Sequence, residues 1–580
     1  MKKKKKSNQK HKNPTTFYLI LPYLIIAVSA LLAYSNSLNC EFQFDDAANI
    51  TDQPIIKDLK NFTDPHLWVN TNFRPLSMFT FAINYQLNKL DVTGFHIFNL
   101  IIHIICGFLV FLLIKKILRI YLSSKESNAT ITWLSLFVAL IFTLHPIQTQ
   151  SVTYIVQRMT SLSGLFYLLA VYLYLVGRTK QSHKDISSSV IVLYVSVLVS
   201  AILSLMAKQI AVTIPLSLLL VEICFIRNKE GQVYKKFILV TLFILILVFF
   251  AVAISGNLPR ETKQISRLNY LITQFKVMTR YVQLSILPIN QNLDHDLRAS
   301  TGFWHFNEIT SFLFLSFLIF LSIFLYKRKK LITFGIGWFF ITLALESTII
   351  PISGLIYEHR LYLAVMGFSV CLVAIIYRLL LKQKKLMISL LILIVIAYGV
   401  TTFQRNQIWE NKFTLWSDVI QKSPGKPRSH YNMGNVLSDA GHHQKAIEYY
   451  LSAIKLKPDY VDAIVNLGNS WNSLGNTDKA LKYYMKALEY DPMFFKALNN
   501  IGVILSDRGE LAKAQEYYET ILQLKPDEYE VINNLGIVWA RKEEYSNAKE
   551  CFQRALSLQS NYEDAKKNLE IVENLMKLNK

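Results

Sequence analysis

Two adjacent carboxylates, Asp45 and Asp46, follow the first strongly apolar segment of the chain, in the stretch 41-EFQFDDAANI-50. Such a pair could be solvated, could bind a cation, or could include a general base beside a lipid-borne substrate. A base that withdraws a proton from a hydroxyl needs a leaving group that is stabilised opposite it. If that leaving group is a phosphate, cationic side chains must lie nearby.

Charged side chains that could bind such a phosphate occur in several other connections between apolar segments. Taken singly, each could simply face lipid headgroups. Lys208 and Arg360 lie directly against apolar segments, where ionisable groups are costly and usually functional. The candidates for binding the phosphate of a lipid-linked sugar are Arg74, Lys208, His295, Glu358 and Arg360.

The segments that must position these residues are apolar and long. The chain has 580 residues, of which 52% are hydrophobic, and several windows reach the roughly 20 residues that a membrane-spanning helix requires. The sequence therefore predicts an integral membrane protein of the all-α class, with about eleven spanning helices. These predicted spans are 17–35, 95–114, 131–147, 161–177, 187–206, 209–226, 237–255, 307–326, 331–350, 361–381 and 386–404.

The distribution of basic residues predicts the orientation of these spans. The run 2-KKKKK-6 precedes the first span, which has no small-residue cleavage site and is expected to stay as an anchor. With a cytoplasmic N-terminus, every even-numbered connection falls inside and is basic, as the positive-inside bias requires. The candidate residues then share the outer face. The mixed aromatic and polar stretches 75–90 and 266–287 are expected to be helices in the outer interface.

The charge balance argues against a nucleic-acid partner. From Arg405 onward there are 23 Lys and Arg against 23 Asp and Glu, so the net charge of +22 belongs to the apolar part of the chain. A nucleic-acid-binding surface would be expected on a basic soluble part. The five Cys show no spacing typical of a metal site or a disulfide framework.

A period of 34 residues follows the apolar part. It recurs at Gly434, Gly468, Gly502 and Gly536, at Ala446, Ala480, Ala514 and Ala548, and at Pro458, Pro492 and Pro526. This spacing matches the tetratricopeptide repeat, in which paired antiparallel helices stack into a solenoid with a concave groove. The sequence predicts repeats at 427–460, 461–494, 495–528 and 529–562, the last with Glu543 where Gly is usual, followed by a capping helix at 563–580.

An asparagine stands two residues before each repeat glycine. These residues, Asn432, Asn466, Asn500 and Asn534, could bind the backbone of an extended acceptor peptide, because an amide offers both a donor and an acceptor. The arrangement resembles the asparagine ladder of the nucleocytoplasmic O-GlcNAc transferase. The alternative is that asparagine is simply frequent at this position of the repeat.

The chain as a whole resembles the transmembrane and tetratricopeptide repeat O-mannosyltransferases and their bacterial relatives, which are membrane glycosyltransferases of the GT-C type. The resemblance covers nearly the whole chain from about residue 17. It rests on the 34-residue repeats and on the motifs 73-FRPLSMFTFAINYQLNKLDVTGFHIFNLIIH-103, 145-HPIQTQSVTYIVQR-158, 204-SLMAKQIAVTIPLSLLLVE-222, 281-YVQLSILPINQNLD-294 and 346-ESTIIPISGLIYEHRLYL-363.

This resemblance implies a role for the acidic pair. GT-C enzymes place an acidic motif in the first extracytoplasmic loop, where an Asp acts as the base toward the acceptor, and 44-FDD-46 occupies that place. Similarity to the protein O-mannosyltransferases favours Asp45, although the Asp-Asp sequence leaves Asp46 open. The family implies catalysis without a metal or other cofactor. A divalent cation bound by the pair, as in some GT-C relatives, is the alternative.

The resulting functional hypothesis is transfer of a sugar, by similarity mannose, from a polyprenyl-phosphate donor in the membrane lipid to Ser or Thr hydroxyls of a protein bound by the repeats. The alternatives are a GT-C enzyme that moves another sugar to a glycan or lipid, and a non-catalytic scaffold. We expect a bacterial inner-membrane protein with extracytoplasmic repeats. The expected parts are a tail at 1–16, a membrane domain at 17–404 with outer loops 36–94, 256–306 and 346–360, a linker at 405–426, and the repeats.

Overall fold

A computed structural model describes residues 16–69, 74–122, 125–181, 187–226, 265–347, 351–352 and 354–578. These residues are predominantly helical, and no β-strand occurs among them. The chain divides into two compact units, Met1–Leu415 and Trp416–Lys580. The predicted all-α class, with an apolar helical part followed by helical repeats, is confirmed.

Within the described ranges, fourteen α-helices lie in the first unit, and a fifteenth, Lys412–Lys422, crosses its end at Leu415. They are α1 Thr16–Ala33, α2 Pro65–Val69, α3 Pro75–Asn88, α4 Val92–Leu122, α5 Asn128–Leu144, α6 Thr149–Val152, α7 Arg158–Lys180, α8 Ser188–Ala207, α9 Ile214–Val221, α10 Arg267–Ile286, α11 Phe306–Leu325, α12 Lys330–Leu343, α13 Ala364–Leu379, α14 Lys384–Gln407 and α15 Lys412–Lys422. Short 3-10 or π turns lie at Ser35–Ser37, Ala47–Thr51, Pro54–Lys57, Leu59–Thr63, Pro146–Gln148, Ile155–Gln157, Gln209–Thr213, Glu222–Ile226 and Glu358–Leu361.

Each predicted span within the described residues coincides with an apolar helix. Six helical segments are long and apolar enough to cross a membrane. They are Val92–Leu122, Ile155–Lys180, Ser188–Ala207, Gln209–Ile226, Phe306–Leu325 and Lys384–Gln407, where α7 and α9 are counted with the short turns that adjoin them. Helix α5 and the segment Pro146–Val152, which is bent from it by 47°, would together make a seventh. Three shorter apolar helices, Leu19–Ala33, Lys330–Leu343 and Ala364–Leu379, occupy further predicted spans. The chain is thus a membrane protein. The predicted span 237–255 and the basic tail lie outside the described residues, so the count of eleven stays a prediction.

Helix ends and connections that are predicted to lie on the same side of the membrane contact one another. At one end of the helical unit, the Tyr326 hydroxyl donates to the Ile223 carbonyl at 3.0 Å, and the Tyr377 hydroxyl donates to Glu126 at 2.5 Å. The candidate site residues gather at other connections, described below. Helices that cross a membrane in alternating directions place successive connections at opposite ends of the bundle, which agrees with these two groups of contacts.

Small residues bring two of the apolar helices together. A Cβ atom added to Gly335 of α12 would lie 2.5 Å from the Gly367 carbonyl oxygen of α13, so neither position has room for a side chain. Beside this contact, Trp338 is fully buried and donates from its indole nitrogen to the Leu363 carbonyl at 2.9 Å. Close approach at glycine is a usual basis of helix packing in lipid, where burial of apolar surface drives little association.

The second unit contains nine further helices in the described residues, arranged as four helical pairs and a final helix. They are α16 Pro427–Asp439, α17 His443–Leu456, α18 Val461–Ser473, α19 Thr477–Tyr490, α20 Phe495–Asp507, α21 Leu511–Leu524, α22 Tyr529–Arg541, α23 Tyr545–Leu558 and α24 Glu563–Leu578. In each pair the repeat glycine packs on an aromatic ring of the partner helix. At Gly434, for example, an added Cβ would lie 2.5 Å from the Tyr450 ring.

The turn inside each repeat needs a left-handed residue. Gly441, Gly475 and Gly509 occupy this position with a φ of 78°, and in the fourth repeat Glu543 occupies it with a φ of 64°. A left-handed backbone costs an L-residue roughly 1–2 kcal/mol, because its Cβ crowds the carbonyl oxygen. The fourth repeat therefore carries a strained turn that the first three lack.

We expect Glu543→Gly to stabilise the repeat unit by about 0.5–1 kcal/mol, because relief of the left-handed strain exceeds the entropy that a new glycine adds to the unfolded chain. The free energy of unfolding of the fragment 416–580, measured in urea, tests this. The matched control is Lys542→Gly, whose φ is −84°. Lys542→Gly adds entropy to the unfolded chain but relieves no left-handed strain, so it should lower the free energy of unfolding. Equal changes in the free energy of unfolding for the two variants would contradict the strain assigned to Glu543.

Candidate active site

The two acidic residues differ sharply in their surroundings. Asp46 is 1% exposed, and its two carboxylate oxygens accept hydrogen bonds from the backbone N–H groups of Gln43 at 2.8 Å and Val156 at 2.7 Å. Asp45 is exposed. Phe44, directly before the pair, has a left-handed backbone with a φ of 41°. Asp46 is therefore a structural ligand of the backbone, whereas Asp45 faces the solvent side.

Burial governs the titration of Asp46. It raises the pKa of this carboxyl to about 8, while the two backbone donors and the nearby Arg158 oppose the rise and Asp45 adds to it. A carboxyl group that is buried and whose oxygens both accept backbone hydrogen bonds has no oxygen facing a substrate. The same arrangement leaves it poorly suited to share a metal ion with Asp45.

A tyrosine completes the surroundings of Asp45. The Tyr154 hydroxyl accepts a hydrogen bond from the Asp45 backbone N–H at 2.8 Å, and the Asp45 side chain is also a hydrogen-bond partner of this hydroxyl. Burial, with both carboxylates nearby, raises the pKa of Tyr154 well above its usual value. The phenol thus stays neutral and can donate to the Asp45 carboxylate. Its ring stacks on Trp409 with centroids 5.3 Å apart.

Arg158, at the start of α7, anchors the segment that holds these acids. It is fully buried, and its guanidinium donates to Asn99 at 2.6 Å, to the Thr80 carbonyl at 3.1 Å and to the Phe95 carbonyl at 3.0 Å. The rings of Phe81 and Phe98 lie 4.6 Å from its central carbon. Arg158 therefore ties α3 and α4 to α7.

The short segment 154–160 connects the acids to the predicted cations. Tyr154 and Val156 contact the acidic pair at one end. At the other end, the Met159 sulfur accepts from the Arg74 guanidinium at 3.0 Å, and the Thr160 hydroxyl accepts from Lys208 Nζ at 3.0 Å. A 3-10 turn followed by one turn of α-helix spans about 10 Å. One continuous short segment thus contacts both predicted halves of the site.

Three of the predicted phosphate ligands form one cluster around a glutamate that the sequence interpretation did not select. Glu346 Oε1 lies 3.2 Å from Lys208 Nζ, and Glu346 Oε2 lies 3.6 Å from Arg360 Nε. Burial alone would raise the pKa of Glu346, but Lys208, Arg360 and Arg74 together lower it, so the carboxylate is ionised. Burial lowers the pKa of Lys208, although Glu346 opposes the effect.

Two side-chain nitrogens in this cluster have no hydrogen-bond partner among the described residues. They are Arg74 Nε and His359 Nδ1, and both are buried. Burial and the neighbouring Lys208, Arg360 and Arg74 lower the pKa of His359 well below its usual value, so the imidazole is neutral. An unsatisfied buried donor is costly unless a ligand or water completes it. Arg74 Nε therefore marks a position where an anionic ligand could bind, and His359 Nδ1 marks a second one when it carries the imidazole proton.

Arg360 is held differently from Arg74. Its guanidinium donates to the carbonyls of Leu355 at 3.2 Å and Gly354 at 2.9 Å, and it lies over the Tyr357 ring at 5.3 Å. These contacts use much of its donor capacity on its own loop. Its contribution to an incoming phosphate would be mainly electrostatic.

The other two predicted ligands pair with each other. His295 Nε2 lies 2.9 Å from Glu358 Oε1, and Glu358 is 2% exposed. The same carboxylate accepts from the Asn292 backbone N–H at 2.6 Å and from Gln291 at 3.2 Å. This pair fastens the loop after α10 to the Glu358–Leu361 turn. Phosphate binding by His295 and Glu358 stays a prediction.

The asparagines of the repeats make contacts between neighbouring repeats. Asn466 donates to Asn435 and Asn500 donates to Asn469, both at 2.8 Å. Asn534 donates to Asn499 at 3.2 Å. The Asn432 amide nitrogen is buried without a partner among the described residues. The four predicted acceptor ligands thus lie on the first helix of each pair, and their binding of a peptide stays a prediction.

The residues that sequence reasoning missed are Tyr154, Arg158, Glu346 and His359. All four lie within or at the edge of the outer-loop motifs that carried the family resemblance. Their position in these motifs is the sequence feature that could have identified them as site residues. Their roles depend on which residues face them across the fold. Among the described residues, no group of three or more His, Cys, Asp or Glu side chains is arranged to hold a metal ion.

The repeat part of the chain matches family models of known proteins. Two family models described as tetratricopeptide repeat match residues 427–460, 461–494, 495–528 and 529–562, the ranges predicted from the period. Among solved structures, the crystal structure of MamA is 21% identical and covers 26% of this chain and 86% of its own, with a TM-score of 0.24. The crystal structure of YrrB is 19% identical and covers 33% of this chain, with a TM-score of 0.24.

The similarity to characterised proteins extends into the membrane part. Protein O-mannosyl-transferase F38B6.6 of Caenorhabditis elegans is 25% identical over 467 residues, which are 75% of this chain and 63% of that protein. Protein O-mannosyl-transferase TMTC3 of Mus musculus is 26% identical over 493 residues, 76% of this chain and 51% of that protein. The resemblance to this family is confirmed, and the chain spans less than two thirds of the length of these relatives.

The raised pKa of Asp46 predicts a pH dependence of stability. The folded chain binds this proton more tightly than the unfolded chain, so stability should fall as the pH rises from 3.8 to about 8 and level off above that. Asp46→Asn removes the titrating group. Its apparent melting temperature in detergent should fall less between about pH 5 and pH 8.5 than that of the wild type, by roughly 3 °C or more.

Asp52→Asn is the matched control, because Asp52 is an exposed carboxylate in the same segment. This variant should keep the pH dependence of the wild type. Parallel melting curves for the wild type and Asp46→Asn would contradict the assigned titration.

Proposed function

We propose that the protein is a membrane glycosyltransferase that moves a sugar, by similarity mannose, from a polyprenyl-phosphate-linked donor to Ser or Thr hydroxyls of a protein acceptor. The observation that carries the proposal is the shared support of an exposed carboxylate and a buried cation cluster by the single segment 154–160. The similarity to proteins named O-mannosyl-transferases supports the same reaction.

Asp45 is the proposed base. It is the exposed member of the pair, whereas both oxygens of Asp46 are taken by backbone N–H groups. Tyr154, a neutral phenol hydrogen-bonded to Asp45, would hold the carboxylate in one orientation. As the acceptor hydroxyl attacks the anomeric carbon, its proton passes to Asp45.

The cation cluster would receive the leaving group. The anomeric C–O bond breaks with its electron pair on the phosphate oxygen, so the lipid phosphate gains one negative charge during the step. Arg74 and Lys208 would bind that charge directly, with Arg360 adding to the positive potential. A single displacement of this kind inverts the anomeric centre, and the phosphate leaves without protonation.

The repeats would supply the acceptor. Helical repeats form concave surfaces that bind extended peptides, and the asparagine row lies on the first helix of each pair. In the proposed orientation the N-terminus is cytoplasmic, the site and repeats face away from the cytoplasm, and the host membrane is a bacterial inner membrane. The basic connections that alternate along the sequence support this orientation.

We expect Asp45→Asn to reduce transfer at least about 100-fold, because removing a general base usually costs that much. The measurement is transfer of radiolabelled mannose from polyprenyl phosphate mannose to a Ser/Thr-containing acceptor protein by the purified full-length chain. The apparent melting temperature should stay that of the wild type, since Asp45 is exposed.

Asp52→Asn again serves as the matched control and should transfer normally. If Asp45→Asn transfers as fast as the wild type while Asp46→Asn is inactive at unchanged stability, the base is Asp46. If the wild type transfers no sugar from any lipid-linked donor, the proposed reaction is wrong, and a non-catalytic scaffold becomes the better explanation.

For the repeats, we expect the double variant Asn466→Ala/Asn500→Ala to bind an extended Ser/Thr-rich peptide about tenfold more weakly, because two amide hydrogen bonds are lost. Fluorescence anisotropy with the fragment 416–580 measures this affinity. Asn547→Ala is the control, since Asn547 is exposed on the second helix of its pair and bonds only locally to Glu544. Unchanged affinity with a lowered melting temperature would show that the amides serve only contacts between repeats.

A further inference from the structure

An internal carboxylate occupies the cation cluster that the proposed reaction needs for its phosphate. Glu346 follows the end of α12 and ion-pairs with Lys208 at 3.2 Å and with Arg360 at 3.6 Å. Its side chain is 13% exposed. The Tyr270 hydroxyl donates to the Glu346 backbone carbonyl at 3.1 Å, which ties its backbone to α10. The carboxylate is thus held against the same ammonium group that a lipid phosphate would approach.

The charges of the cluster can be summed. Arg74, Lys208 and Arg360 contribute three positive charges, Glu346 contributes one negative charge, and His359 is neutral because burial and the adjacent cations lower its pKa. The described residues of the cluster therefore carry an excess of two positive charges. The substrate phosphate is a diester with one negative charge, and the product phosphate is a monoester with up to two.

The reaction changes the negative charge that this cluster must neutralise. Before transfer the diester phosphate requires one compensating charge, and after the anomeric C–O bond breaks the lipid monophosphate requires up to two. A cluster with three unopposed cations would bind the product tightly and release it slowly. A carboxylate that competes for Lys208 lowers that affinity, since attraction between charges a few ångströms apart is strong away from bulk water.

We propose that Glu346 sets the affinity of the cluster for lipid phosphate, by sharing Lys208 and Arg360 with the bound phosphate and by recovering Lys208 when the product leaves. This inference rests on the proposed function, because it concerns how tightly the cation cluster binds the phosphate of the proposed lipid-linked donor and product. Arg74 Nε, a buried donor without a partner among the described residues, is not used by Glu346, and neither is His359 Nδ1, which can donate when it carries the proton of the neutral imidazole.

The test is the affinity of the full-length protein in detergent for farnesyl phosphate, a short polyprenyl phosphate, and for inorganic phosphate. Glu346→Gln keeps the shape and an acceptor oxygen but removes the charge. We expect it to bind farnesyl phosphate about tenfold more tightly, and inorganic phosphate also more tightly, since the change acts on the anion. In the transfer assay, KM for the donor and the inhibition constant of the lipid phosphate product should both fall, while kcat falls because release is slower.

Two further variants separate charge from structure. Glu346→Asp keeps the charge and should keep the wild-type affinity within about threefold. Glu308→Gln removes a different carboxylate, which pairs with Lys276 at 2.8 Å and with Ser300, and it should leave phosphate affinity unchanged. A parallel change with Glu308→Gln would mean that loss of negative charge anywhere on this face suffices, and it would overturn the proposal.

The outcomes for the inference and for the proposed function differ. Equal or weaker binding of farnesyl phosphate by Glu346→Gln, in a protein that melts like the wild type, would overturn the role of Glu346 and leave the reaction intact. Weaker binding by both Glu346→Gln and Glu346→Asp would assign Glu346 to holding Lys208 and Arg360 in place, and would also overturn it. Failure of the wild type to bind farnesyl phosphate at all would instead remove the proposed donor site.

Discussion

The buried guanidinium of Arg158 is the interaction on which the proposed site depends. A fully buried cation must have its donors satisfied and its charge compensated, because desolvation costs several kcal/mol or more. Carbonyl and amide oxygens from α3 and α4 accept its hydrogen bonds, and the negative faces of aromatic rings partly offset its charge. These contacts hold α3 and α4 against the start of α7, and the Val156 N–H beside Arg158 holds the acidic loop through Asp46. The position of Asp45 follows from that arrangement.

In the proposed reaction, the ionisable groups of the site are of two kinds, those that support the site and those that react. Asp46 is buried, and its oxygens accept hydrogen bonds from two backbone N–H groups, so it acts as part of the support. Glu346 partly neutralises Lys208 and Arg360. What remains is one exposed carboxylate, Asp45, and an excess of positive charge some distance along the same segment. A transfer from a phosphate to a hydroxyl requires this separation, because a base placed directly against the cations would form an ion pair with them.

The repeat unit combines a regular helical scaffold with a row of asparagines. These side chains link neighbouring repeats, and we propose that they also bind an acceptor peptide. The repeat glycines allow aromatic rings such as Tyr450 to pack closely between paired helices. The asparagines link consecutive repeats through their amide nitrogens, as Asn466 does to Asn435. Each amide also carries an oxygen, which is a further hydrogen-bond acceptor. Contacts between repeats and recognition of a peptide can therefore use the same residues.

The sequence by itself determined the periodic features of this protein. Apolar segments of spanning length predicted the apolar helices, and the period of 34 residues predicted the helical pairs, because both signals depend on local spacing. It also placed Asp45, Arg74, Lys208 and Arg360 in loops on one predicted face. The tertiary structure alone decided which acid is buried, that Glu346 lies among the cations, that His295 pairs with Glu358, and that Arg158 and Tyr154 join the two halves of the site. These properties depend on contacts between residues far apart in the chain, and spacing along a sequence carries no information about desolvation or about which charge faces which.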